Sequence, residues 1–518
     1  MSGSTRSRFL GVLFVLALVA ALCASPAGAA TLTWDANGVG DGQPDGAGAW
    51  LDANQWWDGA ANPTWVSGSD ANFGNGGVGG AVTLASPTVV NSLTFNSFTG
   101  TYTLGADANA ITLNTGITMN AGAGDVTIVS PVTLGGPQSW TNNSSSGLLT
   151  ASGAVTNGAN LLTIAGSGNT TISGIIGSGA GGLTKNGTGT LTLSGANTYT
   201  GATTVKAGTL ALGAAGTIAN STTITVGDAG SSGTVLDLTS KTSGFSILSG
   251  QTLTGIGTVN IGVGKTVTVD ANAHWAPGNS IGTNAVTGNL TLSGIADFEL
   301  GTAGTSHVAP GISDRTDVSG ALTLGGTLNL IDNAGANGQG SAGAGSYIIF
   351  TQTGAAGGSF ATINNIAGYH AKVYTADSNS VFLDNYQIAA ANAIATPVAL
   401  TNVHVGGAFG TSALNITNTS SSVLSEGLDA NQGTVTGGAS VSGTNISNLA
   451  GGSSSTTISV GLGAASTATA GLKTGTVAID LASNGANSGY APTALTQQVI
   501  TVNGGVYNLA VATRSPRR

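Results

Sequence analysis

Gly278-Asn-Ser280-Ile-Gly282 has the spacing of a nucleophile elbow, and Asp297 and His307 follow in the chain order such hydrolases use. An elbow works only where a strand turns sharply into a helix and lifts the serine hydroxyl over an oxyanion hole. Here strand-like phrases flank it on both sides, so the predicted role is a structural turn. Asp314-Arg315-Thr316-Asp317 sets two carboxylates around an arginine. A polysaccharide lyase or hydrolase needs carboxylates gathered on one face for calcium or acid–base work, and a lyase also needs a base. Carboxylates elsewhere are sparse, and the same run reads equally as a polar edge leading to a strand at Leu322. Asp35, Asn37, Asp41 and Asp45 crowd a glycine-rich loop with oxygens at calcium-binding spacing. Val39 stands where an EF-hand loop has a ligand and Gly46 replaces its closing Glu, so a turn-rich cap is the alternative.

Five of the seven tryptophans, Trp34, Trp50, Trp56, Trp57 and Trp65, lie in one short stretch. Exposed, they stack on sugar rings; buried, they plug an open end of the fold. His274, His307, His370 and His404 are scattered, with no cysteine near them, and make no zinc pattern. Gly262-Val-Gly-Lys-Thr266 lacks the first glycine of a phosphate loop, because position 259 is Val. Gly177, Gly179 and Gly182 satisfy a dinucleotide pattern only because glycine is so frequent. The expectation is therefore no catalytic, cofactor-binding or metal-binding residue.

The elements that hold these residues follow from composition. The 518 residues include 85 Gly, and only 6% are charged against 41% hydrophobic. Surface helices want Glu, Lys, Arg and Gln, which are nearly missing, whereas Thr, Val and Ile favour strands. The net charge of −9 and the single internal arginine, Arg315, exclude a basic stripe for nucleic acid. Arg6 and Arg8 precede an apolar run, Phe9 to Leu22, and a small-residue stretch ending at Ala30. That order predicts an export signal over residues 1–30, too short for a comfortable transmembrane helix. Cleavage there removes Cys23, the only cysteine, leaving a secreted or outer-surface chain without a disulfide.

One phrase recurs: Gly189-Thr-Leu191-Thr-Leu193-Ser-Gly195, Gly288-Asn-Leu290-Thr-Leu292-Ser-Gly294 and Gly320-Ala-Leu322-Thr-Leu324-Gly-Gly326, with Gly208-Thr-Leu210-Ala-Leu212 as a shorter form. Leucines two apart put one face inward and a polar face outward, and the flanking glycines suit turns with positive φ. Strands this short need stacking, at about 20 residues per coil, into a parallel β-helix whose ends are capped. A row of β-sandwiches is the competing fold. Gly181 to Leu212 resembles the autotransporter-associated β-strand repeat nearly position by position, with looser similarity at Trp34 to Asn96 and Pro277 to Ile331. The resemblance implies a right-handed parallel β-helix in an exported bacterial passenger-like protein. Autotransporters end in a membrane barrel, whereas this sequence ends in Arg514-Ser-Pro-Arg-Arg518, so self-translocation is not implied.

Val403 to Asn418 resembles an Ig-like module of large bacterial surface proteins, and short strands from Val398 onward fit an antiparallel sandwich with a turn at Asn503-Gly504-Gly505. The expected organisation is an all-β chain. A signal (1–30) and a Trp/Gly-rich cap (31–80) precede a β-helix (81–386) carrying the repeat at 181–212. A linker (387–397), an Ig-like sandwich (398–512) and a basic tail (513–518) that marks a truncated reading follow. The function expected is a non-enzymatic structural or adhesin-like surface protein, its partners extracellular glycans or other surface proteins, with no membrane segment in the mature chain. A polysaccharide-active enzyme on the β-helix and a sugar binder using the tryptophans are the alternatives.

Overall fold

A computed structural model describes residues 30–40, 42–177, 179–375 and 379–511; the signal-like segment, Asp41 and the basic tail lie outside them. The chain forms two compact units, one of residues up to 243 together with 257–261, the other of 244–256 together with 262 onward.

In the first unit, strands of two to nine residues build two mainly parallel sheets; some coils give two strands to the larger sheet, as Val132–Leu134 and Gln138–Asn142 do, and one to the smaller. Tyr102, Val126, Leu149, Thr170, Leu191, Leu210, Leu236 and Val259 are in register, one above another. All eight are buried. Their neighbours Thr127, Thr150, Thr171 and Thr192 form a matching row on the other face. This is the period of two that the Leu-x-Leu phrases predict. Each fully buried aliphatic side chain contributes about 1.5–3 kcal/mol, and the stack makes that burial possible for strands too short to be stable alone. Coil length varies from 19 residues (Leu191 to Leu210) to 26 (Leu210 to Leu236).

The glycines flanking the phrases have a second cause besides turning. A Cβ on Gly189 would lie 2.2 Å from the carbonyl oxygen of Gly168, and one on Gly195 would lie 2.5 Å from that of Gly174. Neither glycine has positive φ. They are small because the backbone of the neighbouring coil passes directly against them.

The second unit holds three parallel sheets, with Leu290, Leu292, Leu322 and Leu324 buried along one of them. Its coil stack ends where Ser380–Gln387 pairs antiparallel with both Gly345–Gln352 and Tyr369–Tyr374. Such a switch of direction stops the parallel ladder and covers its edge.

Beyond it, antiparallel pairings predominate, although Val398–Ala399 and Val403–His404 pair parallel to Gln498–Tyr507. Gly471–Ser483 pairs with Leu428–Thr436 on one side and Gln498–Tyr507 on the other, and Ile458–Gly461 pairs with Thr411–Ala413 and Ser440–Gly443. Ile416, Leu428, Ile458, Val460, Ile479 and Val502 share one core, and Ala389 and Ile394 from the segment expected as a linker pack into it too. The turn expected at Asn503-Gly504-Gly505 is absent, and the strand runs straight through it, pairing with Lys473 and Leu472. Gly504 is there for space: a Cβ would lie 2.4 Å from the ring of Phe409.

Candidate functional site

The elbow does not assemble a triad. Ser280 donates to Oδ1 of Asn333 at 3.3 Å. Asp297 pairs instead with His274, Nδ1 to Oδ2 2.6 Å, and accepts a second bond from Asn329 at 2.8 Å. His307 pairs with Asp384 at 3.1 Å and stacks on Phe382. Three residues with hydrolase spacing therefore have three separate sets of partners.

Arg315 and Asp317 lie two apart on the strand Arg315–Val318, so both side chains emerge on its outer face. The guanidinium grips the carboxylate with two bonds, Nε to Oδ1 at 2.8 Å and Nη2 to Oδ2 at 3.1 Å. Thr351, from the next coil, donates to the same Oδ1 at 2.6 Å. Both charged side chains stay 40% exposed. Asp314 faces the other way. It is buried, accepts bonds from the backbone N–H groups of Gly282 and Glu299, and is pushed up to about 8 by burial. The two carboxylates flanking Arg315 thus do not converge, because period two sends them to opposite faces.

Two depressions lie on this outer face. One of about 590 Å³ is lined by Ala285, Thr287, Asp317, Ser319 and Thr351 among others, and one of about 310 Å³ by Thr283, Arg315 and Ile348. The ion pair stands between them. Sequence spacing points to Arg315 and Asp317, but not to Thr351, because coil length varies and the facing residue of the next coil cannot be counted off.

The calcium-like loop at the chain's start is tied by hydrogen bonds. Asp35 accepts from the N–H groups of Gly38 and Gly40 and from Asn62, at 3.2, 2.9 and 2.7 Å. Asp45 accepts from Gly74, Asn75 and Gly77 and from the Tyr102 hydroxyl. Asn37 caps the N–H of Val39, and Asp41 lies outside the described residues. These carboxylates fasten turns to the first coils. Among the described residues no three His, Cys, Asp or Glu side chains gather as a metal site.

The tryptophans form an interior plug rather than a platform. Trp34, Trp50 and Trp56 are buried, while Trp57 and Trp65 are half-buried. Trp56 meets Trp34, Trp50 and Trp65 at centroid distances of 5.2, 4.7 and 4.7 Å, and Phe73 continues the cluster toward Phe95. Edge-to-face packing of this kind adds about 0.5–1.5 kcal/mol per pair to the burial itself. The coplanar exposed indoles that the sugar-stacking alternative needs are not present in this cluster.

Three histidines serve as carboxylate partners. Besides the pairs above, His370 Nδ1 lies 2.7 Å from Oε1 of Glu426 and its ring stacks on Tyr490. Glu426 is fully buried and also accepts from Ser483 and Ser488, so this cluster joins the last solenoid strands to the C-terminal module. No local pattern in the chain points to it, since its partners are far apart in sequence. A second hidden charge is Lys185, which replaces an aliphatic residue in the column Ile164–Lys185–Val205. Its ammonium donates to the carbonyls of Gly187 and Ala207, and burial pushes it down to about 8.

Residues 183–212 match the Passenger-associated-transport-repeat. They form four strands, Leu183–Lys185, Thr190–Leu193, Thr203–Val205 and Thr209–Leu212, two in each sheet, so the repeat unit is two successive coil segments. The chain is also 34% identical over 159 residues to the Adhesin BmaC autotransporter of Brucella suis biovar 1 (strain 1330). That stretch is 29% of this chain and 4% of that protein, so the chain spans a small fraction of its relative. It is passenger-like in sequence and in its stacked parallel strands. Among the described residues no helix is long and apolar enough to cross a membrane.

Proposed function

We propose that the chain is an exported, adhesin-like surface protein that acts by contact and not by turnover. The match to a protein named an adhesin carries this reading, because it extends well beyond the repeat itself. Rows of outward threonines such as Thr127, Thr150, Thr171 and Thr192 support it physically. They repeat the same hydroxyl at about 4.8 Å intervals, which suits many weak contacts with an extended partner. The separated partners of Ser280, Asp297 and His307 favour a non-enzymatic role. The antiparallel sheets around their own core after residue 398 support an Ig-like module, and the apolar run before Ala30 supports export.

Attachment of beads coated with the purified chain to host epithelial cells and to immobilised matrix tests the reading. Saturable attachment, competed by soluble chain, is the expected outcome. Attachment no better than beads coated with an unrelated β-helix overturns it.

A further inference from the structure

We propose that the face around Arg315 and Asp317 is a binding groove for a neutral oligosaccharide. The inference rests on the adhesin reading and names the ligand class and the place.

The groove crosses three adjacent strands, Thr283–Thr287, Arg315–Val318 and Gly345–Gln352. It follows the strand direction from Ser313 to Ser319, a length of about 20 Å at about 3.3 Å per residue. The Arg315–Asp317 pair stands in its middle with a depression on each side, an arrangement for a linear ligand lying along the strands. The pair is neutral as a whole, so it selects neither a polyanion nor a polycation. It is rich in directed hydrogen bonding nonetheless. Of the five guanidinium N–H groups two are used on Asp317, leaving three for a ligand, and Oδ2 keeps an open lone pair. Adjacent hydroxyls of a sugar ring, each donor and acceptor, match a guanidinium and a carboxylate held side by side.

The rest of the lining has the same character. Thr287, Ser319 and Thr353 supply hydroxyls, and Ala285 supplies a small apolar patch for a ring's C–H face. An extended peptide is a poorer fit. Peptides commonly dock by adding a strand to a free edge, and Arg315–Val318 is paired on both sides.

The test titrates the full chain with cellotetraose, maltotetraose, mannotetraose and xylotetraose. Tetragalacturonate and an uncharged extended decapeptide serve as competing ligand classes. Calorimetry is run on the wild type, on Asp317→Ala and on Thr287→Trp, which fills the larger depression while leaving Arg315 and Asp317 unsubstituted, with Asp237→Ala as a distant control. At least one neutral tetrasaccharide is expected to bind one to one. Both groove variants should weaken it at least about tenfold at unchanged melting temperature, while the control leaves it intact. If Asp317→Ala lowers the melting temperature, Thr287→Trp decides alone. No binding of any neutral tetrasaccharide at millimolar concentration, binding that survives Thr287→Trp, or groove-dependent binding only of tetragalacturonate or the peptide overturns the inference. Bead attachment separates the two readings: attachment without tetrasaccharide binding leaves the adhesin role standing and removes the groove, whereas tetrasaccharide binding without attachment does the reverse.

Discussion

The coils of residues 102–243 in the first unit and the mainly antiparallel module after residue 398 solve the same problem in opposite ways. In the coils each inward residue meets its counterpart one turn away, as Leu149, Thr170, Leu191 and Leu210 do. In the module, partners come from distant parts of the chain: Val398 pairs with Val502 and Leu428 with Ser483. The first is a sum of nearest-neighbour interfaces and the second a single closed core, so the two should fail differently. Leu191→Ala and Ile479→Ala each remove a fully buried side chain and should each cost about 2–5 kcal/mol. Hydrogen exchange distinguishes them. Leu191→Ala should expose amides in the adjoining coils while leaving remote coils protected, and Ile479→Ala should deprotect the whole module together. Module-wide protection surviving Ile479→Ala would break the comparison.

Buried charge sharpens the contrast. Glu426 is met by an imidazole and two hydroxyls, whereas Lys185 has two carbonyls and, among the described residues, no carboxylate. The Lys185 ammonium loses its proton near pH 8 in the fold and near 10.4 in an unfolded chain. Between those values the unfolded chain binds more protons, so stability rises with pH through that window. Below pH 8 the penalty is constant. The gain from pH 8 to 10.5 should reach about 3 kcal/mol for the wild type and be missing in Lys185→Met. Urea midpoints at pH 7, 8, 9 and 10 read it directly; parallel curves for the two proteins would show that Lys185 does not titrate as its burial implies.

Legibility in the sequence follows the same division. Leu191, Leu193, Leu290 and Leu292 are all buried as their spacing predicts, because a solenoid's packing pattern is local and period two survives in short phrases. Lys185 escaped that pattern, since a lysine in an alternating run looks like an outward residue until the register with Ile164 and Val205 is known. In the module, Leu428–Thr436, Ser440–Gly443 and Ile446–Leu449 escape for another reason: their buried positions, Leu428, Ala430 and Ile446, are too few to make a period-two pattern among polar neighbours. At the candidate groove, Arg315 and Asp317 were visible as a pair. What completes the groove, Thr351 and the strand carrying it, depends on coil lengths that no local pattern encodes.

Glycine gives the finest test, because the same residue answers different demands in the two regions. At Gly189 the obstacle is the Gly168 carbonyl of the coil below, a backbone atom held by its own ladder; at Gly504 it is the Phe409 ring, on a side chain that is only partly buried. Backbone cannot move without spreading the 4.8 Å spacing of adjacent strands, whereas a ring can turn. Gly189→Ala should therefore fall at the upper end of the about 1–3 kcal/mol range for overpacking and Gly504→Ala at the lower end. Chemical denaturation of the two variants orders them. A second substitution, Phe409→Leu, makes room beside position 504 and should recover most of the loss from Gly504→Ala. No neighbouring side-chain change should rescue Gly189→Ala, since the clashing atom belongs to the main chain. Rescue of Gly189→Ala by trimming any adjacent side chain would mean that the coils yield as readily as the module, and that their regular spacing is set by side chains instead of by stacked backbone.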